Sequence, residues 1–269
     1  MPDSTNNLQP NMVKASFSLP VGGGQLRASA QLPVGRTTLT ELLPIVRNLE
    51  GAIIGRVSEE AQAVGTPISC HAGCAACCRQ MVPVSMFEAE ALTRWMATLP
   101  EEARADIESR FHRALSALRD AGVIEKILEP NWPLEEGFAT DVAISYFRAH
   151  VACPFLENEN CGIYPIRPLA CREYMVTSPA ALCQDPAKNA VHGVQLPLKL
   201  SHVLYAFGRK KEHDTRGWIP LVFLLAWARS GTTPGDWVAG TGEEVLRKFL
   251  EQTAAVVNEE RERTPEPAA

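Results

Sequence analysis

Eight cysteines carry most of the chemistry open to this chain, and they fall into two groups. The first, CHAGCAACC, places Cys70, Cys74, Cys77 and Cys78 within nine residues. The second spreads Cys153, Cys161, Cys171 and Cys183 through a stretch punctuated by prolines. Two geometries would keep the first four sulfurs together. A helix at about 100° per residue holds all four side chains within roughly a quarter-turn. A break at Gly73 leaves a tight loop instead. In either case ionised thiols repel one another, and a cation removes that cost by binding the thiolates.

The spacing narrows the choice of cation. Zinc takes four sulfurs in a closed tetrahedron, usually from two C-x2–4-C pairs well apart in sequence. Iron–sulfur clusters are also held by sets of four thiolates. The adjacent Cys77 and Cys78 are hard to aim at one ion, and suit two metals of a cluster or two neighbouring sites. An iron–sulfur cluster is therefore the preferred expectation, zinc the second, and metal-free thiol chemistry the third. A closed site that only staples the fold stands beside a working one.

The second group reads CPFLENENCGIYPIRPLACREY from Cys153 to Tyr174. Pro154, Pro165 and Pro168 fix φ and forbid a continuous helix, so rigid turns must aim Cys161 and Cys171. Arg167 and Arg172 flank Cys171 in sequence, and Arg79 follows Cys78. Such guanidinium groups can donate to sulfur or offset the charge of a cluster from just outside the ligand set. They could instead hold an acidic group of a substrate, or lie on the surface. Tyr164 is either a proton donor or a packed ring. His71 is the best non-thiol ligand candidate, against an exposed or turn-forming role.

Together these residues resemble the YkgJ-type cysteine-cluster family, the zinc- or iron-chelating CxxCxxCC domain proteins. The matching positions are Cys70, Cys74, Cys77 and Cys78, then the Cys153–Leu156 run, then C-x-I-Y-P-x-R-P-x-x-C-R from Cys161 to Arg172. Three residues, not two, separate Cys70 from Cys74. The resemblance implies metal chelation by the cysteines, with iron–sulfur in some members. The same region is similar to flagellin lysine N-methylase, which implies S-adenosylmethionine-dependent modification of a protein as one enzymatic expectation.

Several functional classes stay open at this point. One is a redox or protein-modifying enzyme, acting on a protein or a small molecule, with a pocket beside the centre. Another is a non-catalytic zinc-stapled module that presents surface to a partner, with a closed metal and no such pocket. A third is a thiol redox sensor built on the vicinal pair. Radical S-adenosylmethionine chemistry fits the CxxxCxxC of Cys70, Cys74 and Cys77. It is disfavoured by Ala76, where an aromatic is common, and by the lack of strand–helix alternation further on.

Composition bounds the setting. The chain has 269 residues, 46% hydrophobic and 21% charged, as an ordinary globular protein does. The formal charge of −5 speaks against nucleic acid. The basic GRKKEHD segment from Gly208 to Asp214 reads as a solvated loop. No secretory pattern opens the chain. The longest apolar run, Ile219 to Ala228, is shorter than the ~20 residues a bilayer needs. The expectation is a cytoplasmic protein free of membrane contact, in which cysteines serve as ligands or catalysts rather than disulfides.

The positioning elements are expected to be mainly α, wrapping an irregular cysteine-rich metal core over residues 70–183. Residues 1–12 read as disordered. Val13, Ala15, Phe17 and Leu19, then Leu26, Ala28, Ala30 and Leu32, alternate around a glycine turn and predict a β-hairpin over 13–35. A helical domain then spans 36–257. Leu42, Val46, Leu49, Ile53 and Val57 mark one helix. Ser85 and Glu88 form a capping box for a second. Ile107, Phe111, Leu115 and Leu118 stripe a third, stopped by Gly122. Val142–His150, Ile219–Arg229 and Val245–Val257 read as helices, the last capped by Thr241 and Glu244, and 258–269 as a disordered tail.

Overall fold

The structure, a computed structural model, describes residues 11–22, 24–129, 138–209 and 216–263. The expectations for residues 1–10, the central glycine of the turn, the loop 130–137, the basic segment beyond Arg209 and residues 264–269 lie outside the described residues. The chain opens with β1 (Met12–Val21), β2 (Gly24–Pro33) and β3 (Arg36–Thr38), then α1 (Leu39–Ala63). β4 (Pro83–Ser85), α2 (Met86–Ala97), α3 (Glu101–Asp120), α4 (Val123–Leu128) and α5 (Phe138–Arg148) follow. The short β5 (Leu156–Glu157), β6 (Asn160–Cys161) and α6 (Leu169–Glu173) occupy the second cysteine stretch. α7 (Leu200–Arg209), β7 (Trp218–Pro220), α8 (Leu224–Ala228), β8 (Ala239–Thr241) and α9 (Gly242–Arg263) complete the described elements. The architecture is mainly α with a small N-terminal antiparallel hairpin.

The hairpin follows from period-2 alternation. The apolar residues of its two strands stand opposite one another, Val13 with Leu32, Ala15 with Ala30, Phe17 with Ala28 and Leu19 with Leu26. Leu19 and Leu32 are buried in the same apolar core as Leu39, Leu43, Phe87, Leu200 and Phe249. This core ties the hairpin to α1, α2, α7 and α9. A second core joins α2 and α3 through Leu92, Ile107 and Phe111 to Phe155, Ile163 and Leu224, and Cys153 and Cys161 pack against its edge. A third lies under α4 and α5.

Helix ends are set by side chains. Ser85 Oγ accepts from the Glu88 amide at 3.2 Å, and Glu88 Oε2 accepts from the Ser85 amide at 3.1 Å, so the box opens α2 as its spacing dictates. Thr241 and Glu244 cap α9 in the same way, at 3.3 and 2.8 Å. α9 continues to Arg263, so residues 258–263 are helix rather than tail. α1 carries a further capping box, Thr38 with Glu41, that the apolar pattern did not reveal.

A second expectation is also corrected. The run Ile219–Arg229 is not a helix throughout. Trp218–Pro220 forms β7, which pairs antiparallel with β4 and sets Ile219 opposite Val84. A 3-10 turn starts at Leu221, and α8 only at Leu224. The reason is Pro220, which disfavours helical backbone at the residue before it. Among the described residues no helix is long and apolar enough to cross a membrane.

Candidate metal centre

The first cysteine group hangs from one polar residue. Ser69 donates its amide to Val176 O at 2.9 Å and its hydroxyl to Ser178 O at 2.5 Å. The chain then turns at Gly73, whose φ of +86° lies in the left-handed region that glycine tolerates. The helical geometry for this motif is therefore not the one adopted. A turn carries Cys70 and Cys74, and a 3-10 turn over Ala76–Arg79 carries Cys77 and Cys78. His71 uses ring Nδ1 against its neighbour's carbonyl, Ala72 O, at 2.9 Å and stays exposed, which is the turn-forming role.

The second group meets the first at the backbone. The Cys153 amide donates to Cys78 O at 2.7 Å. Strands β5 and β6 pair with Leu156 opposite Cys161. Between them Asn158 and Glu159 both hold positive φ, 48° and 59°, the signature of a two-residue hairpin turn whose twist suits the strands. Pro168 leads into α6, which presents Cys171. Cys183 sits in a 3-10 turn, Ala180–Gln184, lying against the turn of Cys77 and Cys78. All eight cysteines are unpaired thiols.

Their electrostatics divide them into two neighbourhoods. Cys183 feels Cys70, Cys77 and Cys74. Cys171 feels Cys153, Cys77 and Cys161. Cys77 and Cys78, which share a hydrogen bond, lie where the two meet. That bond, donated by the Cys78 thiol, brings Cys77 down to about 7 against the opposing effect of burial, with help from Arg167. The same bond, then burial, pushes Cys78 upward. Burial pushes Cys153 up to about 12 and raises Cys70, Cys171 and Cys183. Bare thiols here are thus mostly protonated, and a metal would have to displace those protons on binding.

The arginines take three different roles. Arg167 stacks its guanidinium 4.4 Å above the Tyr164 ring and acts on Cys77, Cys171 and Cys70. The Tyr164 ring, 41% exposed, is the platform for this stacking. Arg79 grips Glu159 with both nitrogens, at 3.0 and 2.6 Å, and so ties the first motif to the β5–β6 turn. Its charge also reaches Cys78. Arg172 departs from expectation: its Nε donates to Glu50 Oε2 at 2.5 Å, because α6 packs that side of the residue against α1.

Three buried carboxylates hold α6, and sequence reasoning missed all of them in this role. Glu88 Oε1 accepts from the Leu169 amide at 2.7 Å, at the first residue of the helix. Glu50 takes Arg172, and Glu173 accepts from both the amide and the hydroxyl of Ser201. A five-residue helix has little stability of its own. Its position, and that of Cys171, is set by these contacts. One signal was available for Glu50, which falls on the apolar face marked by Val46, Leu49 and Ile53. A carboxylate there needs a buried partner.

The fit to a metal can be judged from the donors. Among the described residues no three His, Cys, Asp or Glu side chains are already gathered into a metal-binding arrangement. The thiols nevertheless share one region, and Arg167 Nε is buried there with no hydrogen-bond partner. A buried orphan donor is costly. A thiolate-bound metal centre would supply the acceptor that this N–H lacks, and the all-sulfur donor set suits zinc or iron–sulfur. Two cavities adjoin the thiols. One, of about 580 Å³, is bordered by His71, Cys74, Arg79, His150 and Glu159. The other, of about 370 Å³, is bordered by Cys77, Cys171 and Tyr174.

No curated protein and no solved structure matches the chain. A family model does match, over residues 69–192, a segment that starts at the Ser69 anchor and takes in all eight cysteines. The model is that of the CxxCxxCC family, described as a putative zinc- or iron-chelating domain, and the segment is similar to it.

Proposed function

We propose that the eight cysteines hold a polynuclear metal centre, iron–sulfur in preference to zinc, and that the protein is an enzyme that uses it. The observation that carries the proposal is the meeting of two thiol neighbourhoods at the adjacent Cys77 and Cys78. Cys70, Cys74, Cys77 and Cys183 would form one set of ligands. Cys78, Cys153, Cys161 and Cys171 would form the other. When bound, such a centre supplies electron transfer or a Lewis-acidic metal. The chain's own residues do the rest. Arg167 offsets negative charge and donates to sulfur, the Arg79–Glu159 pair closes one side, and the three carboxylates fix α6.

The cavity beside Cys77 and Cys171 supports an enzyme over a closed staple. A staple needs no cavity at its edge. Redox or group-transfer chemistry on a bound substrate does. The cysteine motif read in the sequence, which resembles that of flagellin lysine N-methylase, makes protein methylation the narrower form of the proposal, and binding of S-adenosylmethionine is its direct test. The proposed setting is the reducing cytoplasm, where the thiols stay free for metal.

Anaerobic purification followed by visible and electron paramagnetic resonance spectroscopy, before and after dithionite, tests the assignment. The expected result is sulfur-to-iron charge-transfer absorption that bleaches on reduction. Stoichiometric zinc with no such absorption would replace the iron–sulfur reading with the zinc module.

A further inference from the structure

The 370 Å³ cavity is built for a particular kind of ligand. Its size falls at the lower end of small-molecule sites. It is bordered by Cys77, Cys171, Gln80 and Tyr174, and its apolar lining includes Met81, Val82 and Met175. Lys199, just before α7, and Ser201, His202 and Tyr205 within it also line the cavity.

The charged and polar groups around it are unequally occupied. The Glu173 carboxylate is engaged by the Ser201 amide and hydroxyl. His202 Nδ1 is paired with Glu260 Oε1 at 2.8 Å. Tyr205 donates its hydroxyl to Pro83 O at 3.1 Å. Lys199 differs: it is half-buried and has no ion-pair partner among the described residues. The Tyr174 hydroxyl accepts from Gln80 Nε2 at 3.2 Å, which leaves its own O–H to donate. An entering cation meets carboxylates already satisfied. An entering anion meets an unpaired ammonium and a hydroxyl donor, and a half-buried ammonium gains from a charge-assisted partner. The apolar wall asks for a hydrocarbon body behind that head.

We infer that this cavity binds a small organic monocarboxylate, with its carboxylate held by Lys199 and Tyr174 and its alkyl body along Met81, Val82 and Met175 beside Cys77 and Cys171. The binding site stands on the cavity alone; only the idea that the ligand is a substrate rests on the enzyme reading.

Calorimetric titration of the full-length, anaerobically purified protein tests this, with hexanoate as the probe and hexylamine as its cationic counterpart. Metal content is measured on the same sample. The expected result is one hexanoate per chain, binding at least ten-fold tighter than hexylamine. Lys199→Met should weaken it at least ten-fold and Tyr174→Phe several-fold, with circular dichroism unchanged. The inference is overturned if hexanoate does not bind, if hexylamine binds as well, or if both variants bind hexanoate like the parent. Metal with no hexanoate binding defeats the cavity assignment and leaves the metal centre standing. Hexanoate binding by a chain that holds no metal does the reverse.

Discussion

The hairpin and long helices on one side, and the cysteine-bearing segments 69–79 and 153–183 on the other, are held together by different forces. The first region buries Leu39, Leu43, Phe87, Leu200 and Phe249 in a continuous apolar core, fed by helices of 25 and 22 residues. The second is made of pieces two to five residues long, such as β5, β6 and α6. None of these could persist alone. They are fixed by backbone bonds such as Cys153 to Cys78, by buried carboxylates and, in our account, by metal. One region follows from apolar periodicity. The other depends on ligation, so its metal binding is also folding energy.

Stripping the metal breaks this comparison most sharply. A chelator under reducing conditions should leave most of the far-UV helical signal while opening residues 69–79 and 153–183 to protease. The site energy at stake is large, about 10 kcal/mol or more for structural metals. Cleavage confined to the hairpin or α9 would show that the scaffold is the weaker region. Phe87→Ala attacks the scaffold instead. It should cost about 3–5 kcal/mol in urea unfolding, with the metal-to-protein ratio unchanged in the folded protein.

Glu88→Ala probes the junction, since this carboxylate caps α2 and holds the first amide of α6. A loss of about 1–3 kcal/mol is expected for the orphaned buried groups. The metal spectrum should also shift, which Phe87→Ala should not cause. An unchanged spectrum would mean that α6 is held without Glu88.

A pH slope tests the buried acid at the same junction. Burial, then the neighbouring Glu173 charge, pushes Glu50 up to about 9 despite Arg172. The folded protein thus keeps a proton that the unfolded chain releases near 4.5. Stability from this group is present below that value and is lost as pH rises toward about 9. Glu50→Gln has no proton to lose, so its urea midpoint should fall less between pH 5 and 9. Equal slopes in the two proteins would contradict the assignment.

What the sequence revealed follows the same division. The hairpin was legible because Val13 to Leu19 and Leu26 to Leu32 alternate, and that pattern fixes which side chains face the core. The boxes Ser85–Glu88 and Thr241–Glu244 were legible because capping is local. β7 was hidden because its partner, β4, lies far away in sequence and the apolar run through Pro220 looks helical. The second bond of Glu88, to the Leu169 amide, is likewise non-local. Arg172 shows the limit of reasoning by proximity: it follows Cys171 directly, yet pairs with Glu50. The convergence of two cysteine groups was legible from their composition, whereas the role of each thiol depends on turns such as that at Gly73.

The central claim is that the two thiol neighbourhoods form one centre holding more than one metal ion. The most direct test is to count iron, zinc and labile sulfide per chain in anaerobically purified protein, in the parent and in Cys78→Ser. The account predicts two or more metal ions with sulfide in the parent, and loss of metal with an altered visible spectrum in the variant. A single zinc per chain without sulfide, unchanged by Cys78→Ser, would contradict it.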